Sequence, residues 1–164
     1  MFNKYPIEEL IIHPRLQKDF YKNKPNMKIF KEALILSKNP VCYNGDIFTI
    51  KDYKAFSDDC PSVDTLMFGR GLLAHPGLIS DITNNIKLEK KLLKDFHDKI
   101  YEDYKRILFG DTNVLFKMKE LWFYMITVFS DNAKYAKKIK KSESLYDYDE
   151  AVSSLFREQD VLEI

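Results

Sequence analysis

The sequence predicts an α/β segment with about three parallel strands, followed by an all-α segment. Two observations lead there. Up to about residue 84, short apolar runs alternate with helical stretches, the grammar of parallel βαβ units, because a parallel neighbour is reached only through a crossover. From about Leu88 onward strand signals stop and apolar residues recur at helical spacing.

The first strand is read at Leu10-Ile11-Ile12-His13, a helix over 26–38, and the second strand at Val41-Cys42-Tyr43-Asn44. After Ile47 comes a short helix, opened by Thr49 with Asp52 three residues on, the spacing of a capping box. The third strand is Thr65-Leu66-Met67-Phe68, and 71–82 begins the helix after it. Three parallel strands leave two bare edges and cannot close on themselves. Either upstream sequence supplies further strands, or two copies pair their edges as a homodimer.

In the second segment Leu88, Leu92, Phe96, Ile100, Tyr104 and Leu108 step along one helix face, which Gly110 ends. Asp111, Thr112 and Asn113 are capping residues for the next helix, where Leu115, Met118, Trp122, Met125 and Phe129 repeat at helical spacing and read as core. Two more helices are expected over 132–141 and 148–158. The change of pattern puts a domain boundary at Asn84-Asn85, giving domains 1–84 and 85–164.

With 45% hydrophobic and 14% aromatic residues the 164-residue chain can build a core, so disorder is excluded. The 26 basic and 25 acidic residues nearly cancel, so any attraction for nucleic acid must come from a local patch. No apolar run approaches the ~20 residues that cross a bilayer. No signal-peptide pattern is seen, and a cytoplasmic location is the default expectation. Cys42 and Cys60 have neither disulfide nor zinc spacing and are expected to be reduced.

Two glycine turns follow successive strands: Asn44-Gly45-Asp46 and Gly69-Arg70-Gly71. Glycine at a strand end lets backbone N–H groups converge on an anion, and the following helix N-terminus adds attraction. Each alone is an ordinary turn; side by side they make a phosphate cup. Barrel enzymes often place such a cup after strands seven and eight, which marks these strands as the last of a TIM (β/α)8 barrel. His13, Pro14 and Arg15 end the first strand on the same rim, where an imidazole can bond a cofactor and a guanidinium can hold an anion or a base.

Ile12-His13-Pro14-Arg15 with Asp19 and Tyr21, Asn44-Gly45-Asp46-Ile47, and Met67-Phe68-Gly69-Arg70-Gly71 with Pro76 resemble, in order and spacing, the C-terminal barrel motifs of the tRNA-dihydrouridine synthases. The likeness covers about residues 10–78. Residues 116–124, from Phe116 to Tyr124, resemble the central helix of that family's C-terminal domain, with Glu120 where the family often has histidine.

The resemblance implies the C-terminal portion of a TIM barrel followed by a helical bundle domain that binds tRNA. It also implies an FMN enzyme that reduces a tRNA uridine to 5,6-dihydrouridine, with NADPH recharging the flavin. His13 then contacts the flavin, Asn44, Gly45, Gly69 and Arg70 hold its phosphate with Asp46 in the same turn, and Arg15 faces the substrate pocket. The family's catalytic cysteine lies in an earlier barrel loop. Neither Cys42 nor Cys60 has that context, so no catalytic residue is expected in this chain, and alone it is expected to be inactive.

Among the lysines of the second segment, Lys117, Lys119, Lys137, Lys138, Lys140 and Lys141 are the expected tRNA contacts, since lysines along helices neutralise phosphates. The 134–141 cluster is the stronger patch. Its one interleaved aromatic is Tyr135, so it should grip backbone without reading sequence. Two other readings stand beside this one: a non-catalytic RNA-binding module with a remnant half-barrel, and another FMN-dependent barrel oxidoreductase acting on a small molecule.

Overall fold

Strands β1 (Leu10–Ile12), β2 (Val41–Asn44) and β3 (Thr65–Met67) form at the three apolar runs. The structure, a computed structural model of the chain, describes residues 2–19 and 22–162; Tyr21 of the first motif lies outside them. The strands pair in parallel in the order β1-β2-β3, so each neighbours the next in sequence. Two helices supply the crossovers that parallel pairing requires, α1 (Met27–Leu36) and α2 (Ile50–Asp59).

Both helices start where their caps dictate. The Asn26 side chain accepts from the Ile29 amide, and Thr49 and Asp52 complete the expected capping box. The register aligns Ile12 with Tyr43 and Tyr43 with Leu66, so these side chains share one face of the sheet. That face is closed by Phe30 of α1 and Phe56 of α2. Tyr43 stacks on Phe56 at 4.1 Å between ring centroids and meets Phe30 edge-on at 4.8 Å. The opposite face carries Ile11, Cys42, Asn44, Thr65 and Met67.

By packing, the chain divides into two compact units, 1–69 and 70–164. The second begins with α3 (Arg70–Ala74) and α4 (Leu78–Asn84) in place of the single helix expected over 71–82. Pro76 explains the break, because it has no N–H to continue the ladder and its ring crowds the preceding turn. The packing division precedes the change of pattern at Asn84-Asn85 because α3 rests on later helices of its own unit. Asn85 itself adopts the left-handed conformation (φ 53°) that closes α4.

There follow α5 (Lys90–Ile107), α6 (Asp111–Met125), a 3-10 turn (Ile126–Val128), α7 (Ala133–Lys141) and α8 (Leu145–Glu158). A bridge between Phe129 and Val161 ties the last turn back. The buried line of α5 is Leu93, His97 and Tyr101, one residue round from the expected stripe; Leu92 is half exposed. Gly110 does not end α5, which closes at Leu108. It takes φ 83° as the residue before α6, so Asp111, Thr112 and Asn113 form the first turn instead of capping it. The α6 stripe is buried as read, with Leu115, Met118, Trp122, Met125 and Phe129 all in the core.

Three helices are pinned by one polar chain. Asp98 is a carboxylate that accepts from His97 Nδ1 at 2.9 Å; the opposite nitrogen, Nε2, accepts the Tyr148 hydroxyl at 2.6 Å; and that hydroxyl accepts from Trp122 Nε1 at 2.6 Å. Burial holds the His97 pKa below its ordinary value, against the pull of Asp98, which keeps the ring neutral. No described helix is long and apolar enough to cross a membrane.

Candidate functional site

Because β1, β2 and β3 are parallel and in register, their C-terminal ends meet at one rim of the sheet. His13, Gly45-Asp46 and Phe68-Gly69 follow directly from those ends, and Asn44 is the last residue of β2. His13 Nδ1 donates to the Asn44 carbonyl oxygen at 2.6 Å, joining the first loop to the second. The Asn44 side chain reaches Met67 Sδ at 3.0 Å, joining the second strand to the third.

Arg15 makes a third cross-link. Its guanidinium grips both carboxylate oxygens of Asp46, one at 3.0 Å, and its Nε donates to the Asn23 carbonyl at 2.8 Å. The Arg15 side chain is only 4% exposed. A bidentate pair at this depth fixes the two loops relative to each other. The nearby Tyr43 phenol is pushed up to about 12, chiefly by burial and then by the Asp46 charge.

The two glycines are held for different reasons. A Cβ on Gly45 would fall 1.9 Å from Tyr43 Oη and 2.1 Å from Tyr43 Cζ, so packing alone excludes a side chain there. A Cβ on Gly69 would meet nothing within 4 Å, so no packing requirement excludes one. Farther along the second turn the amides of Phe48 and Thr49 are satisfied by Asp52 Oδ2. Arg70 follows Gly69 as the first residue of α3. Cys42 and Cys60 are free and buried, and burial raises both thiols above their ordinary pKa, the reverse of a reactive cysteine.

In the second unit the expected lysines fall into distinct settings. Lys134, Lys137, Lys138 and Lys141 recur at helical spacing and line a groove of about 800 Å³ between α7 and α8. Asp147 and Glu150 line it too, and Lys134 lies 3.8 Å from Glu158, so the groove is of mixed charge. Lys140 instead lines a second groove, between α6 and α7, with Lys119. Lys119 Nζ donates to the Ser142 carbonyl at the end of α7 at 2.5 Å, and Lys117 pairs with Glu120 at 2.9 Å. Tyr135 is buried with its hydroxyl on Glu158 at 2.5 Å, which removes it as a base-stacking residue. Phe116 and Phe123, to which the sequence assigns no site role, are 67% and 74% exposed on α6. Their signal was present, since neither belongs to the buried stripe of that helix.

Comparison with known proteins matches residues 3–163 to the family model described as dihydrouridine synthase (Dus). A probable tRNA-dihydrouridine synthase of Helicobacter pylori, strain 26695, is 32% identical over 132 residues, covering 74% of this chain and 37% of that protein; the J99 strain protein matches equally. A tRNA-dihydrouridine(16) synthase of Pseudomonas syringae pv. tomato is 32% identical over 74 residues, covering 45% of this chain and 23% of that protein. The matched region thus spans little more than a third of the Helicobacter proteins' length. With residues 3–163 matched, nearly the whole chain, the chain belongs to the dihydrouridine synthase family.

Proposed function

We propose that this chain is the C-terminal part of a flavin-dependent tRNA-dihydrouridine synthase: residues 1–84 the last strands of an FMN-binding barrel, 85–164 a helical tRNA-binding domain. The observation that carries this is the in-order parallel sheet with Gly45 and Gly69 just beyond its strand ends, within a chain matched to the family over 3–163. In-order parallel strands are what a barrel wall requires.

The rim fits a flavin phosphate in part. Gly69 faces open space where a side chain would otherwise stand, which favours close approach of a phosphoryl group to the main chain. His13, Asn44, Gly45, Gly69 and Arg70 are the residues that would hold the cofactor. Arg15 and Asp46 satisfy each other, so in this reading they position the first and second loops, Arg15 acting on the substrate side through that loop. When bound, the flavin supplies the hydride that saturates the uracil double bond, and NADPH restores it. The chain's own residues orient it, while lysines of α7 hold the tRNA backbone. The catalytic acid belongs to another part of the barrel, and the chain alone is inactive.

The test uses the protein carrying the complete barrel. Flavin fluorescence is titrated with wild type and with Arg70→Ala, and the variant is expected to bind FMN at least about tenfold more weakly, the loss of one charge-assisted phosphate contact. Equal affinity refutes the phosphate cup. A non-catalytic RNA-binding module is favoured if the complete protein retains tRNA but takes up no flavin.

A further inference from the structure

The groove between α6 and α7 encloses about 610 Å³ and is lined by the aromatic residues Phe116, Trp122, Phe123 and Tyr124. Its floor includes buried Trp122 and Ile139. Phe116 and Phe123 stand largely exposed at its sides, with Lys119 and Lys140. Two largely exposed phenyl rings beside a hydrophobic groove make a contiguous apolar patch, and such patches mark binding sites. Phe116 and Phe123 are seven residues apart on one helix, about 10 Å along its axis. At roughly 3.4 Å per stacked base, that opening takes one or two bases.

Charge selects the occupant. Helix α7, Ala133–Lys141, carries no acidic residue, and its Lys140 lines this groove together with Lys119 of α6. The groove's one carboxylate, Glu120, is already paired with Lys117. A ligand with flat π faces and an anionic backbone matches aromatic walls flanked by lysines, and unpaired nucleotides have both. We propose that the α6–α7 groove is a stacking site for one or two unpaired bases of an RNA strand, with Lys140 at its edge holding a phosphate. This rests on the RNA-binding reading of the helical unit and adds to it a base-contacting element distinct from the backbone-gripping lysine row.

Trp122 is the only tryptophan of the chain and lines this groove, so it reports directly on occupancy. The full chain is titrated with a short single-stranded oligoadenylate and with an abasic oligomer of the same phosphate count. The oligoadenylate is expected to change Trp122 emission and to bind at least about tenfold more tightly than the abasic oligomer, the range of stacking losses on aromatic platforms. Replacing Phe116 and Phe123 by Leu, which keeps apolar bulk and removes the rings, should abolish that preference. Replacement of both by Tyr should restore it, and circular dichroism confirms that each variant is folded.

Equal affinity for the two oligomers, or a Leu variant that keeps the preference, overturns the stacking site. So does self-association that the Leu substitutions abolish, or tighter binding of an acidic peptide than of the oligoadenylate. The underlying RNA reading fails separately. If tRNA binds and weakens on neutralising Lys137, Lys138 and Lys141 while the Leu variant is indifferent, the stacking site falls and the RNA reading stands; if no RNA binds at all, both fall.

Discussion

His97 Nε2 lies 2.6 Å from the hydroxyl oxygen of Tyr148, a contact that joins α5 to α8 inside the helical unit. Trp122 of α6 donates to the same oxygen, so one hydroxyl satisfies two buried nitrogens. Removing it with Tyr148→Phe strands both. Leaving two buried polar groups unpaired costs about 2 to 4 kcal/mol, which urea unfolding should register as a lower midpoint with unchanged slope. A loss under ~0.5 kcal/mol would mean the network contributes nothing.

The same network sets a pH response. Burial depresses the pKa of His97 from 6.5, and burial likewise depresses that of His75, which lies 3.4 Å from Asp81. Below their ordinary value the unfolded chain takes up protons that the folded state refuses, so stability is full above 6.5 and falls as the pH drops below it. Urea midpoints at about pH 7.5 and about pH 5 should therefore decline in that order. A flat or rising midpoint contradicts the assignment of neutral, buried imidazoles.

At the rim, Gly45 and Gly69 should respond oppositely to alanine. Gly45→Ala drives a methyl into the Tyr43 ring, an overpacking that costs about 1 to 3 kcal/mol. Gly69→Ala meets open space and should leave the unfolding midpoint within ~0.5 kcal/mol of wild type. The Gly45 cost should shrink sharply in a Tyr43→Leu background, which a double-mutant cycle measures. Additive effects of the two changes would disprove the contact.

Arg15 and Asp46 form the third rim cross-link. Arg15→Met removes the guanidinium that grips the Asp46 carboxylate and should cost ~3 kcal/mol, whereas changing both to apolar residues should recover much of that loss. Equal losses in the single and double variants would show that the pair is not the stabilising unit.

Much of this was legible in the sequence, for local reasons. The three strands lie where apolar runs sit between turn residues, and the Thr49–Asp52 box opened α2 as read because a cap needs only neighbours three residues apart. Pairing across the fold was not legible. Arg15 and Asp46 are 31 residues apart and meet because β1 and β2 are adjacent, so the carboxylate that holds the guanidinium expected to face the substrate pocket could not be read from spacing. His97 and Tyr101 were passed over in α5 because polar side chains do not advertise burial; partners distant in sequence, Tyr148 for His97, make it affordable. On α6 the buried stripe was read correctly, while Phe116 and Phe123, off that stripe, were not recognised as surface.

The reading as a whole is tested most directly by the dihydrouridine content of cellular tRNA. The reading frame that contains this chain is deleted and then restored as wild type or with Gly69→Val. Deletion should remove dihydrouridine from at least one tRNA position; wild type should return it, and the valine variant, stably folded but with a side chain in the open space at the rim, should not. Unchanged dihydrouridine after deletion, or full recovery with the valine variant, would contradict respectively the proposed activity and the proposed phosphate site.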